Sequence, residues 1–394
     1  MVNQDWKQQT RLVHEGQERS PHGETAEAMY LTSGYVYDTA EQAEARFREE
    51  DQGFIYSRFG NPTVRAFEQR MIALEGTKDA RATATGMAAV TATMMSQLQV
   101  GDHIVAARAL FGSCRYVVET LMPKFGVACT LVDGRDLNAW KAAIRPETKV
   151  LFLETPSNPV LEIVDMQAVA DLAHENGARL VVDNVFATPI LQRPTDFGAD
   201  IVVYSATKHI DGQGRCLGGV ILGDEGFIQD ELANFLRQTG PSLSPFNAWV
   251  MLKSLETLAL RVNAHCDNTE KLVDFLVDHS QVKRVYYPGH ASHPQHNLAM
   301  AQMTRGGNLI AFDIKGGKEK AFEFTNALNI ALISNNLGDA KTLITHPATT
   351  THFKLDDATK AELDITGGTL RVSIGLEDGD DLVHDFDQAL AKLA

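Results

Sequence analysis

The sequence contains no run of about 18 uninterrupted apolar residues, the length a helix needs to cross a bilayer, so no membrane span is expected. Its opening stretch, MVNQDWKQQTRLVHEG, has no apolar h-region, so no secretory signal is expected either. Cysteine is scarce. The four present (Cys114, Cys129, Cys216 and Cys266) lie far apart without a C-x-x-C spacing. That argues against a disulfide framework and a thiolate zinc site, leaves no metal expected, and fits a reducing cytoplasm. Basic residues are in deficit: 36 Lys and Arg stand against 51 Asp and Glu, a formal net charge of −15. A chain this acidic has no electrostatic reason to bind nucleic acid or an anionic membrane surface. Internal repeats and low-complexity tracts are missing, and no G-x-G-x-x-G follows an early strand as a nicotinamide-binding domain would require.

What the chain has is length and alternation. At 394 residues it exceeds what one small core can organise, so two or three sub-domains are expected. The first 60 or so residues lack strong periodicity and read as an extended arm with a short helix at TAEQAEARFREE (39–50). From Asn61 the pattern changes. TVRAFEQRMIALEG (63–76) reads as a helix closed by Gly76, and GMAAVTATMMSQLQVG (86–101) as a second one. Short apolar runs then alternate with amphipathic stretches: HIVAA (103–107), VACTLVD (127–133), KVLFLE (149–154), RLVVD (179–183), DIVVYS (200–205) and GGVILG (218–223). These runs are apolar at consecutive positions, the mark of strands covered on both faces. The expected fold is therefore α/β with a mostly parallel sheet flanked by helices. A long helical stretch at 247–276 leads to a mixed C-terminal segment, with strands at NLIAFDI (308–314) and TLRVSIG (369–375) and helices at EKAFEFTNAL and the last fourteen residues. The domain reading is an arm over 1–60, an α/β domain over 61–250 and a smaller α+β domain over 251–394.

The stretch YSATKHIDGQGR (204–215) places a strongly hydrated cation, Lys208, at the mouth of a buried strand, where packing has no use for it. Open parallel sheets bind ligands at the carboxyl ends of their strands. Asp183 ends one such strand, Ser205 and Thr207 follow another, and a helix begins at Gly86 with free backbone N–H groups suited to an anion. Alone, Lys208 reads as a solvated terminus, Asp183 as a turn residue and Gly86 as an ordinary helix start. Together, on successive units of one sheet, they match the needs of pyridoxal phosphate. That cofactor takes a lysine for its aldehyde, a carboxylate for its pyridine nitrogen and a cradle of donors for its phosphate. Lys208 and Asp183 take the first two roles in this reading; Gly86, Met87, Ser205 and Thr207 take the third.

The stretches YSRFGNPT (56–63), ATGMAAV (84–90), ETPSNP (154–159), VVDNVFATP (181–189), YSATKHIDGQG (204–214) and LRVSIGLED (370–378) resemble the motifs of the Cys/Met-metabolism family of pyridoxal-phosphate enzymes. The resemblance runs from about residue 10 to the C-terminus. It implies fold type I, aspartate-aminotransferase-like, with a seven-stranded, mostly parallel sheet. It also implies that Tyr56 and Arg58 reach a neighbouring subunit's cofactor phosphate, making the dimer the minimal unit, and that two such dimers form a homotetramer. Arg371, helped by Asn158, takes the place of the family's clamp on the substrate α-carboxylate.

Two departures bear on which reaction is run. Phe111 stands where most relatives carry a tyrosine that stacks on the cofactor ring; it keeps the stacking surface but has no hydroxyl to help expel a poor leaving group. In NLGDAKTLITHPATTTH (336–352), Lys341 stands where cystathionine synthases and lyases typically place a glutamate. A lysine there would repel the ammonium of cysteine, whereas sulfide needs no partner. The expectation is γ-replacement on O-succinyl-L-homoserine by sulfide, giving L-homocysteine and succinate in methionine biosynthesis. Cysteine as the thiol, the acetyl ester or methionine γ-lysis are the alternatives. Arg48, Arg115 and Lys341 are the candidate cations for the anionic succinyl tail.

Overall fold

The computed structural model describes residues 6–393. Seven strands form the larger sheet: β1 (Asp79–Thr83), β2 (His103–Ala107), β3 (Ala128–Val132), β4 (Thr148–Glu154), β5 (Arg179–Asp183), β6 (Ile201–Ser205) and β7 (Gly219–Gly223). Their order is β1-β7-β6-β5-β4-β2-β3. Strands β2 to β6 run parallel, while β7 pairs antiparallel with both β6 and β1. The chain builds outward in one direction through β2 and β3 and in the other through β4, β5 and β6. The topological switch point thus lies between β2 and β4, where such sheets open a crevice.

The period of two along a strand divides the side chains between two cores. Val105, Leu151, Leu153, Leu180, Val182 and Val202 enter one cluster, with the helices Pro62–Glu75 and Met166–Glu175. Ile104, Ala106, Val150, Phe152, Val181, Ile201 and Val203 enter the other, beneath the helix Gly86–Gln97 and the helical turns of 112–124. Here α1 is Gln8–His14, α2 Ala40–Phe47, α3 Pro62–Glu75 and α4 Gly86–Gln97. Burial on both faces explains the uninterrupted apolar runs. The same parity has a consequence at the strand ends: Glu154, Asp183 and Ser205 continue the series of Phe152, Val181 and Val203, toward the α4 side.

The second sheet has five strands, β8 (Val282–Tyr286), β9 (Leu309–Ile314), β10 (Leu332–Ile333), β11 (Leu343–Thr345) and β12 (Thr369–Ser373), in the order β10-β11-β12-β9-β8. Its core includes Ile310, Phe312, Phe324 and Phe386. Helices Pro245–Leu255 and Leu258–Val277 connect the sheets; the helical stretch read at 247–276 is broken at Glu256 and Thr257.

The N-terminal arm carries one more helix than its sequence announced. Short α1 buries only Leu12 and docks by hydrogen bonds from Gln8 to the Pro189 carbonyl (2.7 Å) and from Arg11 to that of Ala73 (3.2 Å). Farther on, Glu27 accepts from buried Arg70 at 2.7 Å and from Lys253 at 2.9 Å. Beyond that anchor the arm exposes large apolar side chains, among them Leu31, Phe47, Tyr56 and Val36, the last at 97%.

Candidate active site

A cavity of about 230 Å³ opens at the carboxyl ends of β4, β5 and β6, and β12 of the second sheet closes it. Gly86, Met87, Phe111, Asn158, Asp183, Ser205, Thr207, Lys208 and Arg371 all line it. Setting aside the candidate entrance cations Arg48 and Arg115, nine of the twelve residues singled out from the sequence therefore meet at one place.

Lys208 follows β6, and its Nζ donates to Asn336 Oδ1 at 2.5 Å. Burial, and then the charge of Arg371, pull this amine down to about 8. A lysine so shifted keeps a usable neutral fraction near physiological pH. Asp183 ends β5 with Oδ1 accepting from the Val185 N–H (3.1 Å) and Oδ2 facing the Cys114 thiol (3.8 Å). Burial raises its carboxyl to about 6. Burial and the neighbouring Asp183 charge push the Cys114 thiol well above its ordinary range, so it stays protonated and serves as a weak donor.

Arg371 lies on β12 between Ala311 and Thr345 of its neighbours and is 2% exposed. Its Nη1 donates to Asn158 Oδ1 (2.9 Å) and its Nη2 to the Asn335 carbonyl (2.9 Å), while buried Nε has no partner among the described residues. Burial lowers the guanidinium to about 10, which leaves it charged at neutral pH. A buried cation with neutral partners and a spare donor has the chemistry of a carboxylate receptor.

Helix α4 starts with Thr85 as its cap, the side chain accepting from the Ala88 N–H at 3.0 Å. The Gly86 and Met87 end of the helix is left at the cavity wall. A Cβ at position 86 would meet Ser205 Cβ at 2.5 Å and its Cα at 2.8 Å, so the helix start and the end of β6 touch directly. Thr207 spends its hydroxyl on Gly218, accepting from the N–H at 3.1 Å and donating to the carbonyl at 3.3 Å.

Three of the residues read from the sequence lie elsewhere. Lys341 does not line the cavity: its Nζ pairs with Asp339 at 3.3 Å, two residues upstream. Tyr56 is half-exposed on the arm. Arg58 stands over its ring (5.4 Å) and lines a separate groove with Arg65, Arg81 and Arg237. Of the proposed entrance cations, Arg48 pairs with Glu44 at 2.6 Å and Arg115 with Glu119. Conversely, Glu154 and Asn336 were passed over. Glu154 ends β4 directly beside Asp183, so the strand-end argument that singled out Asp183 applies to it equally. Nothing in the local sequence marks Asn336.

A family model described as Cys/Met metabolism PLP-dependent enzyme matches residues 9–391. The chain belongs to this family. It is thus a pyridoxal-phosphate-dependent enzyme, and the residues at the cavity fit that cofactor: an amine of lowered pKa, a buried carboxylate and a helix start with no room for a side chain. The chain is 50% identical to an O-succinylhomoserine sulfhydrylase of Mycobacterium tuberculosis over 98% of its length and 96% of the relative's. It is 48% identical to that of Pseudomonas aeruginosa, over 98% and 95%. An L-methionine γ-lyase of Porphyromonas gingivalis stands at 40%, over 98% and 97%. A Campylobacter jejuni crystal structure containing N′-pyridoxyl-lysine-5′-monophosphate superposes with a TM-score of 0.94 at 31% identity, over 98% of this chain and 100% of that one.

In a Cys/Met-metabolism enzyme with this helix start, Gly86→Ala is expected to weaken cofactor binding at least about tenfold, because neither α4 nor β6 can yield to the added methyl at low cost. Spectrophotometric titration of the apoenzyme with pyridoxal phosphate measures it. Unchanged affinity would mean that the start of α4 is not part of the cofactor's cradle.

Proposed function

We propose that the enzyme converts O-succinyl-L-homoserine and sulfide into L-homocysteine and succinate. The observation that carries this reading is the meeting, in one cavity, of a half-buried amine able to be neutral and a buried guanidinium with a donor to spare. Together they suit proton transfer at the Cα of an amino acid held by its α-carboxylate. The substrate class follows the sulfhydrylase relatives at about 50% identity.

In this reading Lys208 would bind the cofactor's aldehyde, Asp183 would serve its ring nitrogen, Phe111 would supply a stacking face, and the Gly86–Met87 helix start with Ser205 would hold its phosphate, joined by Thr207 if its hydroxyl turns from Gly218. Bound there, pyridoxal phosphate supplies an electron sink for the substrate's α-carbon. Arg371 and Asn158 fix the α-carboxylate, and with it the direction of the Cα–H bond. Nζ of Lys208 takes the Cα proton and afterwards returns protons along the substrate's carbon chain. Asn336 Oδ1 holds that amine in place meanwhile. The net change breaks the Cγ–O bond, the electron pair leaving on succinate, and forms a Cγ–S bond from sulfide. Succinate is a good leaving group, which suits a site where Phe111 offers no hydroxyl.

Tyr56 and Arg58 are assigned to the neighbouring subunit's cofactor phosphate. The exposed apolar surface of the arm around Val36 is what such a neighbour would cover, in a dimer and in a homotetramer of two dimers. Four unpaired thiols suit a cytoplasmic enzyme. Lys341, turned to Asp339, gives no charge-based reason to reject cysteine. The experiment that tests the reading therefore offers O-succinyl-L-homoserine with sulfide or with L-cysteine and identifies products by mass spectrometry. Homocysteine formed at the higher kcat/KM is expected. Cystathionine formed preferentially, or no succinate released in either mixture, would overturn it.

A further inference from the structure

Glu154 is the buried acid that the roles above leave unused. It is 3% exposed at the end of β4, in register with Asp183 on β5, and it lines the cavity on the side of the sheet's switch point. Both its oxygens are engaged. Oε2 accepts from the Phe111 N–H at 2.7 Å and Oε1 from the Asn158 N–H at 2.9 Å. The first bond holds the loop that follows β2, the second the loop that follows β4, so one carboxylate ties together the two loops on either side of the crevice. The Phe111 loop carries the aromatic face at the cavity. The Asn158 loop carries the amide whose Oδ1 orients Arg371 Nη1 at 2.9 Å. Each bond is to a backbone N–H, so it fixes where the loop runs.

A buried carboxylate beside a second one is costly, and an acid kept only for packing would be replaced by an apolar side chain at lower cost. We propose that Glu154 is a positioning residue that sets the cofactor-facing ring of Phe111 and, through Asn158, the carboxylate-binding guanidinium of Arg371. The proposal rests on the assignment of Phe111, Asn158 and Arg371 given above. It predicts that Glu154 acts on the binding of an amino-acid carboxylate and of the cofactor together, although both its oxygens are committed to backbone N–H groups.

Glu154→Gln keeps one acceptor and turns an NH₂ toward a backbone N–H, which breaks one of the two ties. In the holoenzyme, KM for O-succinyl-L-homoserine is expected to rise about tenfold to a hundredfold, the size of leaving a buried N–H without its acceptor. The cofactor's visible absorption band should shift, and apoenzyme titration should give weaker cofactor binding. Combining it with Asn158→Ala should produce less than the product of the two separate KM effects, because both act through one contact. Glu154→Asp, which keeps the carboxyl group but draws the oxygens back by one methylene, should give the same KM rise and decides the matter if the Gln variant does not fold. A folded variant with wild-type KM, cofactor affinity and absorption would overturn the proposal. So would full additivity with Asn158→Ala. If Arg371→Leu also left KM unchanged, the assignment of the carboxylate clamp itself would fall; a large Arg371 effect with a silent Glu154 would remove this inference alone.

Discussion

Replacing Lys208 by alanine is expected to lower kcat by about 10³ to 10⁴, the upper range for loss of a positioned acid–base group, with the fold and the substrate KM little changed. The covalent link to the cofactor is lost at the same time, so mass spectrometry after borohydride reduction should find no modified chain. The pH profile gives a second readout. Burial and the Arg371 charge pull the Lys208 amine from its ordinary value of 10.5 to about 8. Since the neutral amine is the base, activity should rise with pH through a limb near 8. That limb should be missing from the residual activity of Lys208→Ala. A variant that still turned over at the wild-type rate would refute the assignment of the base.

Arg371→Leu is the second large effect. Truncating one partner of a buried, hydrogen-bonded charge pair costs about 2–5 kcal/mol, so KM should rise by roughly 30-fold to several thousandfold. Because the contact is to the α-carboxylate, succinyl and acetyl esters of homoserine should suffer alike; a rise confined to the succinyl ester would place Arg371 at the acyl tail instead. The variant should also move the pH limb. A cation beside a cation lowers its pKa, so removing the Arg371 charge should carry the Lys208 limb upward from about 8. Steady-state kinetics across pH measures both effects on one sample.

How much of this was legible in the sequence depends on whether the signal was local. Strands β2 and β4 to β7 could be read because each is covered on both faces and so is apolar at consecutive positions; β3, at the sheet edge with only Val132 buried, was legible from its apolar residues alone. Strand β1, DARAT, could not: two alanines, an arginine and an aspartate carry no strand signal, and its place comes from pairing with β7 at the sheet edge. Strand β10 is two residues long and exposed, below what any pattern can mark. Lys208, Asp183 and Gly86 were legible because strand ends and helix starts have a fixed relation to a parallel sheet. Lys341 was placed by its position in a family motif, which does not say where the side chain turns, and Asp339, two residues away, supplied the nearer partner. Asn336 owes its importance to the second sheet lying against the first, a long-range relation that no window of sequence contains.

The bonds from Lys208 to Asn336 and from Arg371 to Asn158 run in opposite senses between the two sheets, and each donor is a group the chemistry requires. Neither half of the polypeptide, produced by itself, would assemble a working centre, and grafting one half onto a distant cousin would sever both links at once.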